Sequence, residues 1–268
     1  MGIKKVAWGG VLVVSLFGTT AGFADTISGT AGAAFQNWAA TNLNQNGKPY
    51  WDNPSLDGSN KNVGFFLVNA PTAPLADAPG ALPYWGNTFN SATDSGGSPD
   101  LNFTFQRTAA SSVASLQLEV AHNANINVFG WYDTTDPSVL HPIFLGPDSP
   151  PSTNTFSPSA QYGLYLTGAD GTYYTQSSLN PSGDTSHEHF VIFQGSSTPG
   201  AESYWIGIED LGVSGLGSDE AGVGDYNDMV VRISAAVAPA VPEPSTAALV
   251  MGGSVLLLGL RKRHRSIS

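Results

Sequence analysis

Short apolar and aromatic runs recur along this chain, and each is bounded by Gly, Pro, Asn, Asp or Ser. In residues 113–121 the pattern has a period of two, with Ala114, Leu116, Leu118 and Val120 alternating with Ser115, Gln117 and Glu119. Alternate side chains of a strand point to opposite faces, so this pattern indicates a strand with one buried face. The 31 Gly and 18 Pro residues suit a fold with many turns. These features favour β-structure over helices.

Eleven such segments predict strands. They span residues 62–69, 82–89, 101–107, 113–121, 125–133, 141–146, 161–168, 171–176, 187–194, 202–210 and 227–234. Many short strands joined by short turns are typical of an antiparallel β-sandwich or jelly roll, so we expect an all-β body over residues 25–236. The Pro/Ser-rich segment 147–160 reads as a loop and leaves open a division of this body. Residues 33–43 are compatible with one helical turn.

The charge distribution excludes several functions. Between residues 25 and 240 there are 20 acidic and four basic residues, a formal charge of −16. Such a body repels nucleic acids and anionic lipids, so we expect no nucleic-acid partner and favour cations or neutral partners such as sugars. The chain has no cysteine, which excludes disulfides, thiolate metal ligands and a cysteine nucleophile.

The N-terminus has the pattern of an export signal. Lys4 and Lys5 precede an apolar run, and the small residues Gly22 and Ala24 occupy the −3 and −1 positions of a cleavage site. The first 24 residues are therefore predicted to be a secretory signal peptide. Signal peptidase would cut between Ala24 and Asp25.

The C-terminal tail has the pattern of a membrane anchor. Residues 245–260 are 16 uncharged residues, and a basic cluster over 261–265 follows them. A spanning helix needs about 20 residues, but snorkelling of Arg and Lys or local thinning of the bilayer makes up such a difference. The basic cluster would stay cytoplasmic and leave the body outside. We therefore expect a single apolar anchor helix.

The tail as a whole resembles the PEP-CTERM sorting signal of Gram-negative bacteria that make exopolysaccharide. The matching residues are Val241, Pro242, Glu243 and Pro244, then the apolar span, then Arg261, Lys262, Arg263 and Arg265. The resemblance implies that residues 237–268 form a linker and a sorting signal. It further implies that an exosortase-type enzyme reads this signal and removes it near Pro-Glu-Pro. The protein would then reach the cell surface or the extracellular matrix.

Oxygen-bearing side chains concentrate between the last two predicted strands. They are Glu209, Asp210, Asp225, Asn227 and Asp228. If the two strands pair antiparallel, these side chains converge at one edge of the sheet. Clustered carboxylates repel one another and favour a hard cation, and Ca²⁺ accepts six to eight oxygen ligands in irregular geometry. The alternative is an acidic, solvated hairpin loop in which Asp and Asn only form turns.

Residues 204–233 resemble the domain of unknown function 4114, which occurs in bacterial surface proteins. The resemblance rests on an aromatic-rich strand ending in Glu-Asp, a Gly/Asp loop, and Asp-Tyr-Asn-Asp leading into an apolar strand. It implies an extracellular adhesive or matrix role and favours calcium over the solvated loop. The loop is longer here than in the compact form, so Asp219 and Glu220 are weaker ligand candidates than Asp225 and Asp228.

Two further groups of residues have competing interpretations. His187 and His189 have the spacing of a zinc pair, but no third ligand is nearby in sequence and ordinary strand residues are the better interpretation. Trp51 and Trp85 lie among acidic and turn residues, as sugar-contacting aromatics do, although aromatics in a sandwich more often form the core.

The sequence thus favours an exported, non-enzymatic protein of the cell surface or exopolysaccharide matrix, with Ca²⁺ as a structural ion. One alternative is a carbohydrate-binding module, with extracellular polysaccharide as its partner. A second alternative is a secreted glycosidase or lyase, because such enzymes need only two suitably spaced carboxylates.

Overall fold

The computed structural model describes residues 25–30, 33–37, 51, 62–69, 83–86, 102–121, 123–185, 187–195, 203–212 and 226–235. The signal peptide, the sorting signal and Asp225 lie outside these residues. Within the described part of the chain, no helix has the length and apolar character needed to cross a bilayer.

Thirteen strands lie within the described residues, together with one α-helix. The strands are β1 (Thr26–Gly29), β2 (Ala34–Asn37), β3 (Pro83–Gly86), β4 (Phe103–Gln106), β5 (Ser112–Glu119), β6 (Val128–Asp133), β7 (Asp136–Phe144), β8 (Ser152–Phe156), β9 (Gln161–Thr167), β10 (Thr172–Tyr174), β11 (Phe190–Gln194), β12 (Ser203–Ile208) and β13 (Met229–Ala235). The helix is α1 (Val63–Asn69), and a short 3₁₀ helix spans Ser177–Leu179.

The strands form two antiparallel sheets, which confirms the predicted all-β sandwich. The first sheet has the order β1-β4-β9-β6-β7, with β10 also paired to β9. The second has the order β2-β3-β11-β12-β13-β5-β8. Many paired strands are far apart in the sequence. For example, β1 pairs with β4, and β5 lies between β13 and β8.

Aromatic side chains from both sheets fill the space between them. Phe105 of the first sheet stacks on Tyr162 with 5.2 Å between ring centroids, and lies 6.0 Å from the ring of Tyr204 in the second sheet. Trp205 and Ile206 of β12 are fully buried in the same core. Burying each such side chain contributes about 1.5–3 kcal/mol, so this core supplies most of the driving force for folding.

Residues 62–69, predicted as a strand, contain helix α1 instead. The Oδ1 atom of Asn62 accepts a hydrogen bond from the backbone N–H of Phe65 at 3.0 Å, which is the geometry of a helix N-cap. Val63 and Leu67 are buried against the core four residues apart, on one helical face. The aromatic and β-branched residues that suggested a strand are thus used for packing, and the cap decides the local structure.

Two other segments form a different element from the one predicted for them. Residues 34–37, within the predicted helical turn, form β2 and pair with β3. Segment 147–160, predicted as a loop, contains β8, which extends the second sheet by pairing with β5. Phe156 at the end of β8 is buried against Tyr162, with 6.0 Å between the ring centroids, so burial of one aromatic residue ties this polar segment to the sandwich.

Candidate cation site

Three carboxylates meet at one end of the second sheet. Glu209, Asp210 and Asp228 each place one oxygen within 4.8 Å of the others. Glu209 is 8% exposed, Asp210 is 2% exposed and Asp228 is half-buried. Water screens charges poorly at buried positions, so the mutual repulsion of these groups is stronger than on an open surface. A cation placed among the three oxygens would relieve it.

Strand pairing brings these side chains together. β12 and β13 run antiparallel with Gly207 opposite Val230, so the end of β12 and the start of β13 lie at the same edge. The backbone N–H of Asp210 donates to Oδ2 of Asp228 at 3.0 Å, which joins the two ends directly. The hairpin geometry expected from the sequence is therefore present for these carboxylates.

The entry to β13 has an unusual backbone conformation. Tyr226 has a φ of +56°, in the left-handed region that non-glycine residues adopt at a cost of about 1–2 kcal/mol. Its side chain is buried, and its hydroxyl donates to the backbone carbonyl of Glu188 at 2.6 Å. These contacts stabilise a turn that directs the following residues, including Asp228, toward the end of β12.

Asn127 is a further candidate ligand, which no pattern in the sequence indicates. Asn127 is 0% exposed, and its Nδ2 donates to Oδ2 of Asp210 at 2.9 Å. Its Oδ1 is also buried and accepts no hydrogen bond from any group in the described part of the chain. Rotation about the Cβ–Cγ bond exchanges the two ends of the amide, which would present Oδ1 to an ion held by Asp210. Asn127 is 83 residues from Asp210 in sequence, and no local pattern connects them.

Glu119 is a further carboxyl group at the same edge. It ends β5 opposite Met229 of β13, and its Oε1 is buried without a hydrogen-bond partner among the described residues. Burial, together with the smaller effect of the charges of Asp210 and Asp148, raises the pKa of Glu119 to about 7. Negative potential therefore converges on this end of the sandwich from β5, β12 and the segment after β7.

The remaining predicted ligands have different positions. Asn227 is buried and forms an isolated backbone bridge with Ile208, next to the carboxylates. Asp225 lies outside the described residues. The structure thus brings together three of the five predicted ligands as a cluster and places Asn227 beside them.

The two histidines considered as a zinc pair precede β11 rather than lying on it. His189 is buried and stacks on Tyr173 with 3.8 Å between ring centroids. Its Nδ1 is 3.3 Å from the backbone carbonyl of Glu209, and its Nε2 is 3.5 Å from the carboxylate of Asp184. His187 is only half-buried. His189 therefore packs behind the carboxylate cluster and supports the backbone of Glu209.

Burial lowers the pKa of His189 to about 4, against the opposing effect of Asp184, so the ring is neutral in the folded protein at neutral pH. The unfolded chain binds a proton at pH 5 that the folded chain does not, so acid destabilises the fold between about pH 6.5 and pH 4. The raised pKa of Glu119 acts in the opposite direction, since the folded state then holds the extra proton between about pH 4.5 and pH 7.

We therefore expect the variant Glu119→Gln to reveal how much His189 contributes to the pH dependence of stability. Its unfolding free energy in urea should fall by about 2 kcal/mol more, between pH 7 and pH 5, than that of the double variant Glu119→Gln/His189→Gln. Both variants lack the glutamate, so the difference reports His189 alone. Equal pH dependence in the two variants would mean that the ring titrates normally in the folded state.

The structure corrects the sugar-contact prediction for Trp51. This side chain is 0% exposed and packs edge-on against Tyr84 and Phe193, with ring centroids 5.6 and 5.0 Å apart. A sugar ring stacks on an open aromatic face, and Trp51 has none. Trp85 is half-buried with its ring against Phe35 at 5.2 Å. Both tryptophans were more plausible as core residues on composition alone, because large aromatics dominate sandwich cores.

No family model matches the sequence, and no curated protein matches it. Among solved structures, the chain is similar to a lectin of Chromobacterium violaceum in complex with alpha-methyl-fucoside. The TM-score is 0.31 and the identity 17%, over 50% of this chain and 96% of the lectin chain. A likeness at that level carries no argument about function.

Proposed function

We propose that this protein is an exported, non-enzymatic component of the cell surface or extracellular matrix whose β-sandwich is stabilised by Ca²⁺. The observation that carries the calcium assignment is the cluster of Glu209, Asp210 and Asp228 together with the buried Oδ1 of Asn127. Three carboxylates and one amide oxygen are the hard ligands that Ca²⁺ prefers. Backbone carbonyls and water would complete the six to eight ligands of the ion.

A bound ion would join the two sheets. Asp210 and Asp228 flank β12 and β13 of the second sheet, whereas Asn127 immediately precedes β6 of the first sheet. The site lies in a body with a formal charge of −16, which concentrates divalent cations near its surface. Calcium fits this irregular ligand set better than magnesium, which demands a near-ideal octahedron. The role of the ion is therefore structural.

Isothermal titration calorimetry of the full chain with calcium chloride tests this assignment. We expect one site with a Kd of about 10⁻⁴–10⁻³ M, the range of extracellular calcium modules. The variant Asp228→Asn should weaken binding at least about tenfold, whereas Asp136→Asn changes an exposed aspartate outside the cluster and should leave it intact. Equal affinity in the two variants would place the calcium elsewhere.

Export and sorting are the second part of the proposal. They rest on the signal-peptide pattern that ends at Ala24 and on the Pro-Glu-Pro tail with its basic cluster. Asp25, the first residue after the expected cut, is buried and hydrogen-bonded within the sandwich. This position suits a folded body that begins where signal peptidase leaves the chain.

Deletion of residues 241–268 should shift the exported protein from the membrane fraction to the medium or periplasm. The physical reason is the loss of the apolar run and of the cations that retain it at the inner leaflet. Immunoblots of cell fractions measure the shift, and N-terminal sequencing of the exported protein should begin at Asp25. Unchanged fractionation would remove the sorting role, and an intact Met1 would remove the export signal.

A polysaccharide panel separates this proposal from the enzymatic alternative. A non-enzymatic matrix protein releases no reducing ends from any member of the panel. Catalytic release of reducing sugar by the full chain would instead support the secreted glycosidase or lyase.

A further inference from the structure

A polar cleft lies on the outer face of the first sheet, away from the carboxylate cluster. Its volume is about 440 Å³, within the range of about 300–1,000 Å³ found for small-molecule sites. Its polar lining comprises Ser28, Thr30, Asn102, Thr104, Gln161 and Gln176. The neighbours of Thr104 on β4, Phe103 and Phe105, point into the core, so Thr104 points outward and forms the floor of the cleft.

The lining has no ionisable side chain among the described residues. It consists of hydroxyl and carboxamide groups, with Gly29 as its remaining member. A charged ligand would lose hydration there without gaining a counter-charge, which is unfavourable. A neutral ligand with many hydroxyl groups loses little, because each hydroxyl can exchange water for a group of the lining. The chemistry of the cleft therefore selects for uncharged, polyhydroxylated ligands.

Two glutamines give the cleft a fixed acceptor and a fixed donor. Nε2 of Gln161 donates to Oγ1 of Thr104 at 3.1 Å, which leaves Oε1 as an acceptor with no partner among the described residues. Oε1 of Gln176 accepts a hydrogen bond from the hydroxyl of Tyr132 at 3.0 Å. This leaves Nε2 of Gln176 as a donor with no partner among the described residues. One end of each carboxamide is thus held by the protein, and the other end is available to a ligand.

The orientation of Gln176 is set by Tyr132, whose ring lies over Gly163 of β9. Tyr132 is fully buried, and burial raises the pKa of its phenol above the ordinary value, so the hydroxyl keeps its proton and acts as a donor. Its ring packs edge-on against Tyr174 with 5.2 Å between centroids, which restricts it further. Preorganised groups of this kind lose little entropy when a ligand binds. The cleft thus offers both an acceptor and a donor, and the hydroxyl groups of a sugar both donate and accept.

We propose that this cleft binds uncharged segments of polysaccharide through Gln161 and Gln176. The inference goes beyond the proposed structural role of calcium, because the cleft shares no residue with the carboxylate cluster. It replaces the two tryptophans as the place where the body would contact sugar. In a surface or matrix protein, such a cleft would hold the body against neutral glycan chains.

Affinity electrophoresis tests the proposal with the full chain. Native gels contain either dextran, galactomannan or xylan as neutral polymers, or alginate as an anionic polymer. We expect at least one neutral polymer to retard the chain. We do not expect alginate to retard it when no neutral polymer does. Gln161→Ala and Gln176→Ala should each weaken the binding about three- to tenfold, the equivalent of one neutral hydrogen bond. Gln161 is exposed, so its replacement leaves the core intact.

Gln106→Ala is the matched control, because Gln106 is also exposed, lies directly opposite Gln161 on β4 and does not line the cleft. It should bind as the unchanged chain does. Retardation by a neutral polymer should also persist in EDTA, which separates the cleft from the calcium site. The proposal is overturned if no neutral polymer retards the chain, if alginate alone does, or if Gln161→Ala binds as tightly as the control.

Discussion

Calcium is expected to raise the melting temperature of the full chain by about 5–10 °C. A ligand that binds only the folded state stabilises it by about 2.7 kcal/mol at a concentration of a hundred times its Kd. For a body of this size, 1 kcal/mol corresponds to about 2–4 °C in melting temperature. The shift arises because the ion offsets the repulsion among Glu209, Asp210 and Asp228 and holds the ends of β12 and β13 together. Differential scanning calorimetry with calcium chloride and with EDTA measures it.

The double variant Asp210→Asn/Asp228→Asn should lose this shift. Asparagine keeps the shape of aspartate and one acceptor oxygen, so the hydrogen bond from the backbone of residue 210 can persist. Two negative charges are removed, so the melting temperature in EDTA should stay equal or rise slightly. Asp136→Asn is the control, because this aspartate is exposed and outside the cluster. A calcium-dependent shift that survives in the double variant would contradict the assigned ligands.

Asp25→Ala is expected to lower the free energy of unfolding by about 2–6 kcal/mol, because two buried hydrogen-bond donors lose their acceptor. Asp25 is 2% exposed, and its Oδ1 accepts hydrogen bonds from the backbone N–H of Thr108 at 2.8 Å and from its hydroxyl at 3.3 Å. Its Oδ2 accepts from Ser112 at 2.9 Å and from Tyr162 at 2.7 Å. Alanine would leave the buried hydroxyls of Ser112 and Tyr162 without this acceptor, at about 1–3 kcal/mol each.

The phenol of Tyr162 remains protonated and acts as a donor, because burial raises its pKa well above the ordinary value and the charge of Asp25 raises it further.

Urea unfolding measures the loss of stability. Asp25→Asn should lose less than Asp25→Ala, because one acceptor oxygen remains. Asp136→Ala, at an exposed position, should change the stability by less than about 0.5 kcal/mol. A loss below about 1 kcal/mol for Asp25→Ala would mean that the N-terminal segment is not held by this network.

The sequence predicted features that depend on neighbouring residues. The alternation over 113–121 identified β5, because a period of two has one structural meaning over that length. The carboxylate hairpin was also accessible, since β12 and β13 are successive strands of an antiparallel pair. The strand predicted at 62–69 was wrong, because the side chain of Asn62 caps a helix there and outweighs the strand-like composition.

Features that join distant parts of the chain were not accessible. Asn127 meets Asp210 across 83 residues, and Asp25 meets Tyr162 across 137 residues. The order of the sheets decides both contacts, and no local pattern encodes that order. The polar cleft was missed for the same reason, because its lining comes from four separate parts of the sequence, at β1, at β4, at β9 and just after β10. The burial of Trp51 also depends on the completed sheet, since Phe193 of β11 packs against its ring.

A crystal structure of the full chain grown in calcium chloride tests the central claim most directly. We predict a calcium ion about 2.3–2.6 Å from carboxylate oxygens of Asp210, Asp228 and Glu209. Its anomalous scattering identifies the ion. The amide of Asn127 should be turned so that Oδ1 faces the ion. A carboxylate cluster that holds only water at a calcium concentration of about a hundred times the expected Kd, with the Asn127 amide still donating to Asp210, would contradict the account.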